Sequence, residues 1–300
     1  MSRPAFTIPG FFLFACCASP LVGAAPAAHC SLAGAPAAHF AVRVPSDVVD
    51  GRIYVQASVN GRGPFRFAVD TGASGVARAD SSLTAALGLA PSGTGHASDG
   101  VQSAQVDMVR LDSLALGDVS VQKIDVIARD YGSRMAAAAA FHGILARDFF
   151  ADGLLILDYP GKTLSFSRTL SLPDTGGDVL GYERAFRVPV SLGGIQIHGN
   201  LDTGDNVSLV MPRTLYDRVD GTPLAPAGQG TLGNTRIDTG RAVLKEPVTI
   251  GQVSLSRVEA RVSERYPELL VGAHILQQFT LMIDQRNKRI ALCAPPMPPP

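Results

Sequence analysis

The sequence lacks an excess of charge of either sign. Its 26 basic and 26 acidic side chains give a formal net charge of zero, and charged residues make up only 17% of the 300. Proteins that bind nucleic acid usually carry a basic surface, because they must neutralise the phosphate backbone. The composition, with 46% hydrophobic residues, is therefore that of a globular protein without an electrostatic argument for a nucleic-acid partner.

Signatures of metal and cofactor chemistry are also lacking. The six histidines are scattered, with no pair at the spacing of metal ligands, so the sequence predicts no metal site. The G-x-S-x-G elbow of serine hydrolases does not occur. Residues 228–233 fit the G-x-G-x-x-G pattern by spacing, but Pro223 and Pro226 stand where a dinucleotide-binding fold needs a strand. We therefore expect no cofactor.

The N-terminal segment has the features of an export signal. Arg3 precedes a short apolar stretch at residues 11–18, and small residues follow it. This stretch is too short to span a bilayer stably, so we predict that residues 1–25 are a signal peptide and that the protein is periplasmic or secreted. Lipid anchoring is an alternative, because residues 13–16 resemble a lipoprotein cleavage box ending at Cys16. A membrane is expected as a partner only in that case.

A short acidic turn occurs twice and divides the chain into similar halves. Asp70-Thr71-Gly72 and Asp202-Thr203-Gly204 lie 132 residues apart, and each follows an apolar run typical of a strand. Landmarks around the two turns keep nearly the same offset: Ser58 and Ser191, Gly61 and Gly194, Leu83 and Leu215, and residues 117–121 and 251–255. This internal repeat indicates two lobes.

The repeat also sets the expected domain boundaries. We predict an N-terminal lobe at residues 40–172, a linker at residues 173–181 and a C-terminal lobe at residues 182–294. An Ala/Pro-rich leader at residues 26–39 precedes the lobes, and a Pro-rich tail at residues 295–300 follows them.

A third copy of the tripeptide, Asp238-Thr239-Gly240, does not belong to the repeat. The offset of 134 residues found in its neighbourhood maps Asp238 onto Ala104, which is not acidic. Equivalent elements of repeated units keep their register, so we expect Asp238 in a surface hairpin.

The elements that the pattern predicts are mostly short strands separated by turns. Strands are expected at residues 52–59, 65–69, 108–111, 119–127 and 195–201. The helical signals are Ser81–Leu87, which Gly88 ends, and residues 144–150. This pattern favours a mainly β fold of two duplicated β-barrel lobes with a few short helices.

With two Asp-Thr-Gly turns in a duplicated, β-rich chain behind an export signal, the protein resembles a bacterial two-lobe aspartic protease of the pepsin and retropepsin superfamily. The resemblance implies an exported endopeptidase with Asp70 and Asp202 as its catalytic pair and a peptide or unfolded protein as its substrate. Two carboxylates a few ångströms apart share one proton, and this family is the established example of that effect. The ionised member takes a proton from a water that attacks the scissile carbonyl, without metal or covalent intermediate.

The resemblance also assigns supporting roles beside the aspartates. Thr71 and Thr203 are expected to hydrogen-bond across the lobes and lock the two turns. Gly72 and Gly204 are expected to offer close backbone donors to the carboxylates.

The position after the second glycine departs from the family pattern. Small residues usually stand there, as Ala73 and Ser74 do in the N-terminal lobe, but the C-terminal lobe has Asp205 followed by Asn206. This departure leaves open an alternative function, a catalytically inactive protein that binds peptides on the same scaffold. Two other possibilities are that both turns merely cap strands and that the protein is a structural part of the envelope.

A further family element is an apolar pair followed by glycine, which passes beneath each catalytic turn. Leu270-Val271-Gly272 fits this element in the C-terminal lobe. Phe141-His142-Gly143 is its expected counterpart in the N-terminal lobe, although it places a polar residue in the pair.

Proteases of this type cover the substrate with a mobile β-hairpin, the flap. The glycine-rich residues 93–100 stand where the N-terminal lobe should carry it. The candidate flap residues are Gly95, His96, Ser98, Asp99 and Gly100. The aromatic residue of pepsin-like flaps is missing, so a plain surface loop is the alternative. The C-terminal counterpart of this hairpin is expected at residues 228–240.

Cys30 and Cys293 are predicted to form a disulfide. Cys16 and Cys17 lie in the predicted signal, so the mature chain keeps only these two cysteines, and an exported protein meets an oxidising compartment. The family resemblance implies that the termini come close, because first and last strands of such proteins share a sheet beneath both lobes. Two free thiols are the alternative.

Overall fold

The computed structural model of the protein describes residues 28–294, except residues 134, 175, 177 and 185. The predicted signal peptide with Cys16, and the predicted Pro-rich tail, lie outside the described residues. Within the described part, no helix is long and apolar enough to cross a membrane.

Strands dominate the chain, which confirms the prediction of a mainly β fold with a few short helices. The strands of the N-terminal half are β1 (Val42–Pro45), β2 (Asp47–Val49), β3 (Arg52–Val59), β4 (Arg62–Asp70), β5 (Ala77–Asp80), β6 (Pro91–Ser98), β7 (Ser103–Leu116), β8 (Val119–Arg129), β9 (Gly143–Ala146), β10 (Leu154–Asp158) and β11 (Thr163–Ser167). Those of the C-terminal half are β12 (Val179–Gly181), β13 (Arg187–Leu192), β14 (Ile195–Asp202), β15 (Leu209–Pro212), β16 (Ala225–Thr231), β17 (Arg236–Val243), β18 (Val248–Ile250), β19 (Val253–Leu255), β20 (Glu259–Ser263), β21 (Leu269–Gly272), β22 (Thr280–Asp284) and β23 (Arg289–Cys293).

The helices are all short. The α-helices are α1 (Ser81–Leu87), α2 (Arg213–Tyr216) and α3 (Ala273–Leu276), and 3-10 helices occur at Ala28–Gly34, Ala37–His39, Ala137–Ala139 and Arg147–Phe150. Helix α1 has the predicted bounds: the Asp80 side chain caps it by accepting from the Ser82 N–H, and Gly88 ends it in the left-handed conformation at φ 65°.

In the described part of the chain the strands form three sheets. Eight strands in the order β2-β3-β4-β9-β5-β8-β7-β6 build the N-terminal lobe, and nine in the order β16-β17-β20-β15-β21-β14-β13-β18-β19 build the C-terminal lobe. The remaining six, β1-β11-β10-β22-β23-β12, come from both halves, and β10 pairs antiparallel with β22 at the centre of their sheet. This shared sheet joins the two lobes.

The same strand arrangement recurs in both lobes around the acidic turns. Strand β4 runs parallel to β9, which pairs antiparallel with β5, and β14 runs parallel to β21, which pairs antiparallel with β15. All residues of β9 and β21 are buried, so each strand that ends at an aspartate lies beside a completely buried partner.

The predicted helix at residues 144–150 is wrong over its first half. Residues 144–146 belong to β9, and only Arg147–Phe150 forms a 3-10 turn. A short apolar run buried on both faces shows neither helical nor strand periodicity, so its sequence alone does not distinguish the two structures.

The chain ends are tied to the shared sheet. Cys30 in the 3-10 helix Ala28–Gly34 and Cys293 in β23 form the predicted disulfide, with Cα atoms 5.7 Å apart. The residues predicted as leader thus include ordered helical turns. The last three residues of the predicted linker form β12, which pairs with β23.

Candidate active site

The two acidic turns occupy equivalent positions at the ends of their strands. Asp70 is the last residue of β4 and lies opposite Ala146 of β9, while Asp202 is the last residue of β14 and lies opposite Gly272 of β21. Because β4 and β14 are held by buried neighbours, both aspartates leave a rigid strand at the point where the chain turns.

Two buried threonines, Thr71 and Thr203, hydrogen-bond the two turns to each other in a contact that we call the threonine clasp. The Thr71 N–H donates to Thr203 Oγ1 at 3.1 Å, and the Thr203 N–H donates to Thr71 Oγ1 at 3.0 Å. Each hydroxyl in turn donates across the lobes, from Thr71 to the Leu201 carbonyl at 2.9 Å and from Thr203 to the Val69 carbonyl at 2.7 Å. These four hydrogen bonds form a symmetric contact that fixes one turn against the other.

The clasp packs each aspartate against the glycine of the opposite turn. A Cβ atom added at Gly72 would lie 2.2 Å from Asp202 Oδ2, and one added at Gly204 would lie 2.3 Å from Asp70 Cγ. Only glycine fits at either position, since real Cβ atoms do not approach so closely. The two carboxyl groups therefore meet at the lobe boundary.

The meeting of the two carboxyl groups changes the acidity of Asp202. Burial of its carboxyl raises its pKa well above the ordinary value, and the charges of Asp70 and Asp205 and a hydrogen bond with Asp70 add to this effect. The Gly204 N–H, which donates to Asp202 Oδ1 at 2.8 Å, opposes it. One proton is therefore retained on the pair at pH values where isolated carboxyls are ionised.

The backbone donors to the carboxylates differ between the turns. Gly204 donates to Asp202, as expected, but the donor to Asp70 Oδ1 is the N–H of Ala73, at 2.9 Å. Ala73 is buried, whereas Ser74 is exposed. Ala73, and not the predicted Gly72, is thus the backbone donor to Asp70.

The predicted apolar pair of the N-terminal lobe is corrected by the strand register. Because Ala146, and not Gly143, lies opposite Asp70, the pair is Ile144-Leu145. The Ala146 N–H donates to the Val76 carbonyl, and the Gly272 N–H donates to the Ser208 carbonyl. The two acceptors, Val76 and Ser208, are 132 residues apart. His142 lies outside the pair, and its Nδ1 accepts from the Arg66 N–H.

The charge of the aspartates acts on a tyrosine in each lobe, and the sequence pattern did not reveal either. Tyr131 precedes β9 and Tyr266 precedes β21. Burial raises the pKa of both hydroxyls, and the charge of Asp70 acts in the same direction on Tyr131, as that of Asp202 does on Tyr266. Both phenols therefore stay neutral when the aspartates titrate.

The candidate flap is a true β-hairpin whose tip meets its C-terminal counterpart. Strands β6 and β7 pair up to Ser98 and Ser103, and β16 and β17 form the matching hairpin. Asn234, at the tip of the second hairpin, donates from its N–H to Asp99 Oδ2 at 2.7 Å and from its side chain to the carbonyls of Ala97 and Gln102. The two tips are thus joined directly.

The remaining flap candidates surround this contact without entering it. His96, Ser98 and Gly100 are exposed, and Gly95 packs against Met108. Burial opposes ionisation of Asp99, yet several N–H donors keep its pKa below the usual value, so it remains a charged acceptor at the tip.

Asp238 lies outside the site. It is exposed on β17, where it pairs with Gln229 of β16 and accepts a hydrogen bond from its side chain at 3.1 Å. This is the surface hairpin that the repeat predicted.

A metal site finds little support in the described residues. His29, Cys30 and Cys293 are the only group there with three potential ligand atoms close together. The two sulfur atoms are bonded to each other, which removes the thiolates that bind metals.

Comparison with known proteins agrees with this geometry. The model of the aspartyl protease family matches residues 55–149, which include the Asp70 turn, the β6–β7 hairpin and β9. No curated protein matches the chain. The match lies within the N-terminal half of the chain, and it supports a relation of this part to the aspartic protease superfamily.

Proposed function

We propose that the protein is an aspartic endopeptidase that hydrolyses peptide bonds with a water activated between Asp70 and Asp202. The observation that supports this most strongly is the reciprocal packing of each aspartate on the glycine of the other turn, held by the threonine clasp. Strand ends that merely needed a cap would not require two turns to interlock across the lobes.

The acidity of the pair suggests the role of each member. Asp202 keeps the proton, because burial and its acidic neighbours disfavour its charged form. Asp70 is then the base that takes a proton from the attacking water, while Asp202 donates to the oxyanion that forms on the scissile carbonyl. The roles reverse as the leaving amine is protonated.

The joined hairpins suggest how a substrate is held. They reach from both lobes to a shared tip contact, so an extended peptide bound at the aspartates has a cover on the side facing solvent. Tyr266, whose hydroxyl stays neutral, is a candidate for a contact to the peptide. The substrate class we propose is therefore a peptide or an unfolded protein.

Export to the periplasm or outside the cell is part of the proposal. The Cys30–Cys293 disulfide suits an oxidising compartment, and the apolar N-terminal stretch suits a signal. Lipid anchoring at Cys16 is the alternative. Fractionation of cells, followed by mass spectrometry of the mature N-terminus, separates a cleaved soluble protein from one acylated at Cys16.

The experiment that tests the activity is cleavage of an unfolded protein such as reduced casein across acidic and neutral pH, with and without pepstatin. We expect cleavage at acidic pH that pepstatin inhibits. Binding of casein peptides without cleavage at any pH would instead support the inactive peptide-binding alternative, which the additional carboxylate of Asp205 motivates.

A further inference from the structure

Asp205 is an unusual neighbour for a catalytic pair. Its counterpart in the N-terminal turn is Ala73, which is apolar and buried. Burial and the charge of Asp70 both raise the pKa of Asp205, and Asp205 in turn raises that of Asp202. A third acid in such a confined site disfavours ionisation of the others unless a positive charge compensates for it.

The compensating charge comes from the other lobe. Arg52, at the start of β3, donates from Nε to the Gly204 carbonyl at 2.6 Å and from Nη2 to Asn206 Oδ1 at 3.1 Å. Gly204 and Asn206 are the two residues that flank Asp205, and the Arg52 charge favours the ionised form of Asp205. One guanidinium therefore fixes both sides of this residue.

The turn that carries Arg52 is itself held against the C-terminal lobe. Asn206 donates from its side chain to Asp50 Oδ2 at 2.5 Å, and Asp50 Oδ1 lies 2.9 Å from His274 Nε2. Gly51, at φ 80°, permits the approach, because a Cβ there would lie 2.8 Å from the His274 ring. The geometry of Arg52 is thus fixed by contacts on both sides of the lobe boundary.

The groups that face Asp205 come from several elements. The charged and titratable neighbours are Arg52 of β3, Asp70 of β4, Asp202 of β14, His274 of α3 and Tyr266 in the segment before β21. Arg52 is the permanently charged cation among them, since guanidinium does not deprotonate in proteins.

From these contacts we propose that Arg52 is a positioning residue of the aspartate pair. It holds residues 204–206 of the C-terminal turn from the N-terminal lobe and supplies the charge that permits a carboxylate at Asp205. The effect on catalysis rests on the proposed peptidase function, but the effect on Asp205 does not.

The first test measures Asp205 directly, by carbon-13 NMR titration of the aspartate carboxyls in the mature protein. In Arg52→Gln the Asp205 midpoint should rise by about one pH unit or more relative to wild type. Arg52→Lys should restore most of the charge effect, and Arg62→Gln, at an exposed position of β4, should leave the midpoint unchanged. An unchanged Asp205 midpoint in folded Arg52→Gln would overturn the proposal even if the protein has no peptidase activity.

The second test follows peptide hydrolysis. Arg52→Gln should lower kcat about tenfold or more, with a smaller change in KM, because the turn loses its position rather than its substrate contacts. The acidic limb of its pH profile should move to higher pH. The double variant Arg52→Gln/Asp205→Ala should return that limb to wild type or below, because the acid that needed the cation is gone. An Arg52→Gln profile identical to wild type would contradict the proposal, whereas inactivity of wild type would contradict only the proposed function.

Discussion

The two Asp-Thr-Gly turns share the same tripeptide but are supported differently. The N-terminal turn is completed by its own lobe, with buried Ala73 donating to Asp70. The C-terminal turn carries Asp205 at the matching position and is held from the other lobe by Arg52. The glycine contacts and the threonine clasp are thus common to both turns. The contacts of Arg52 and the additional carboxyl of Asp205 belong to the C-terminal turn.

The largest effects should come from the glycines, which both turns share. Gly72→Ala and Gly204→Ala each place a Cβ within about 2.3 Å of the opposite aspartate, and displacement of a carboxylate by about 1 Å can cost on the order of a hundredfold in rate. Both variants should lose at least that much kcat, which a casein or peptide assay measures.

Gly181→Ala is the matched control for these variants, because no atom lies within 4 Å of a Cβ built there. It should keep wild-type activity. If Gly72→Ala cleaved as fast as Gly181→Ala, the close packing of the turns would have no role in catalysis.

The threonine clasp should show the symmetry of the two lobes in stability. Thr71→Val and Thr203→Val each remove two cross-lobe hydrogen bonds from a buried site and leave backbone groups without a partner. Each should lower the free energy of unfolding by about 1–3 kcal/mol, as chemical denaturation would measure. Thr249→Val on β18 is the control and should cost much less. A loss from only one of the clasp variants would show that the clasp is not symmetric.

Asp205→Ser should make the C-terminal turn behave more like the N-terminal one. Removal of the third acid lowers the pKa of the pair, so the acidic limb of the activity profile should move to lower pH. An unchanged profile would indicate that Arg52 already cancels the charge completely.

The stability of Asp205→Ser relative to wild type should increase as the pH rises. The pKa of Asp205 is raised in the folded protein, so the folded state binds more protons than the unfolded one above pH 3.8, and wild-type stability falls as the pH increases through that window. Asp205→Ser lacks this loss. Its free energy of unfolding should therefore increase relative to that of wild type by at most about 1.4 kcal/mol per pH unit. Denaturation curves at several pH values measure the difference, and a constant difference would contradict the assignment.

The smallest effect is expected at the hairpin tips. Asn234→Ala removes the side-chain donor to the Ala97 and Gln102 carbonyls, keeps the backbone N–H that donates to Asp99 and does not touch the aspartate pair, so KM should rise severalfold while kcat changes little. A fall in kcat alone would show that the tip contact acts on chemistry rather than on substrate retention.

The parts of the site that could be predicted from the sequence are those the repeat duplicates. The pairing of the two Asp-Thr-Gly turns and the exposed position of Asp238 followed from the offset between the halves, because the repeat preserves local structure, whereas the threonine contacts were implied by the family resemblance. Strand β9 was misassigned, since a buried strand without alternation has no period to read. The register of β9 places Ala146, and not the predicted Gly143, opposite Asp70.

Contacts between distant segments had no signal in the sequence. Arg52 and Gly204 are 152 residues apart, and Asp99 and Asn234 are 135 apart. Each residue has an ordinary local role, in a strand or a turn, and only the folded chain brings its side chain to the lobe boundary. Asp205 was recognised as a departure from the pattern, but its partner was not.

The central claim is that Asp70 and Asp202 form one catalytic unit, and the most direct test compares three single substitutions in the same peptidase assay. We predict that Asp70→Asn and Asp202→Asn each abolish cleavage in a folded protein, while Asp238→Asn, in the third copy of the tripeptide, stays close to wild type. An inactive Asp238→Asn together with an active Asp202→Asn would contradict the account.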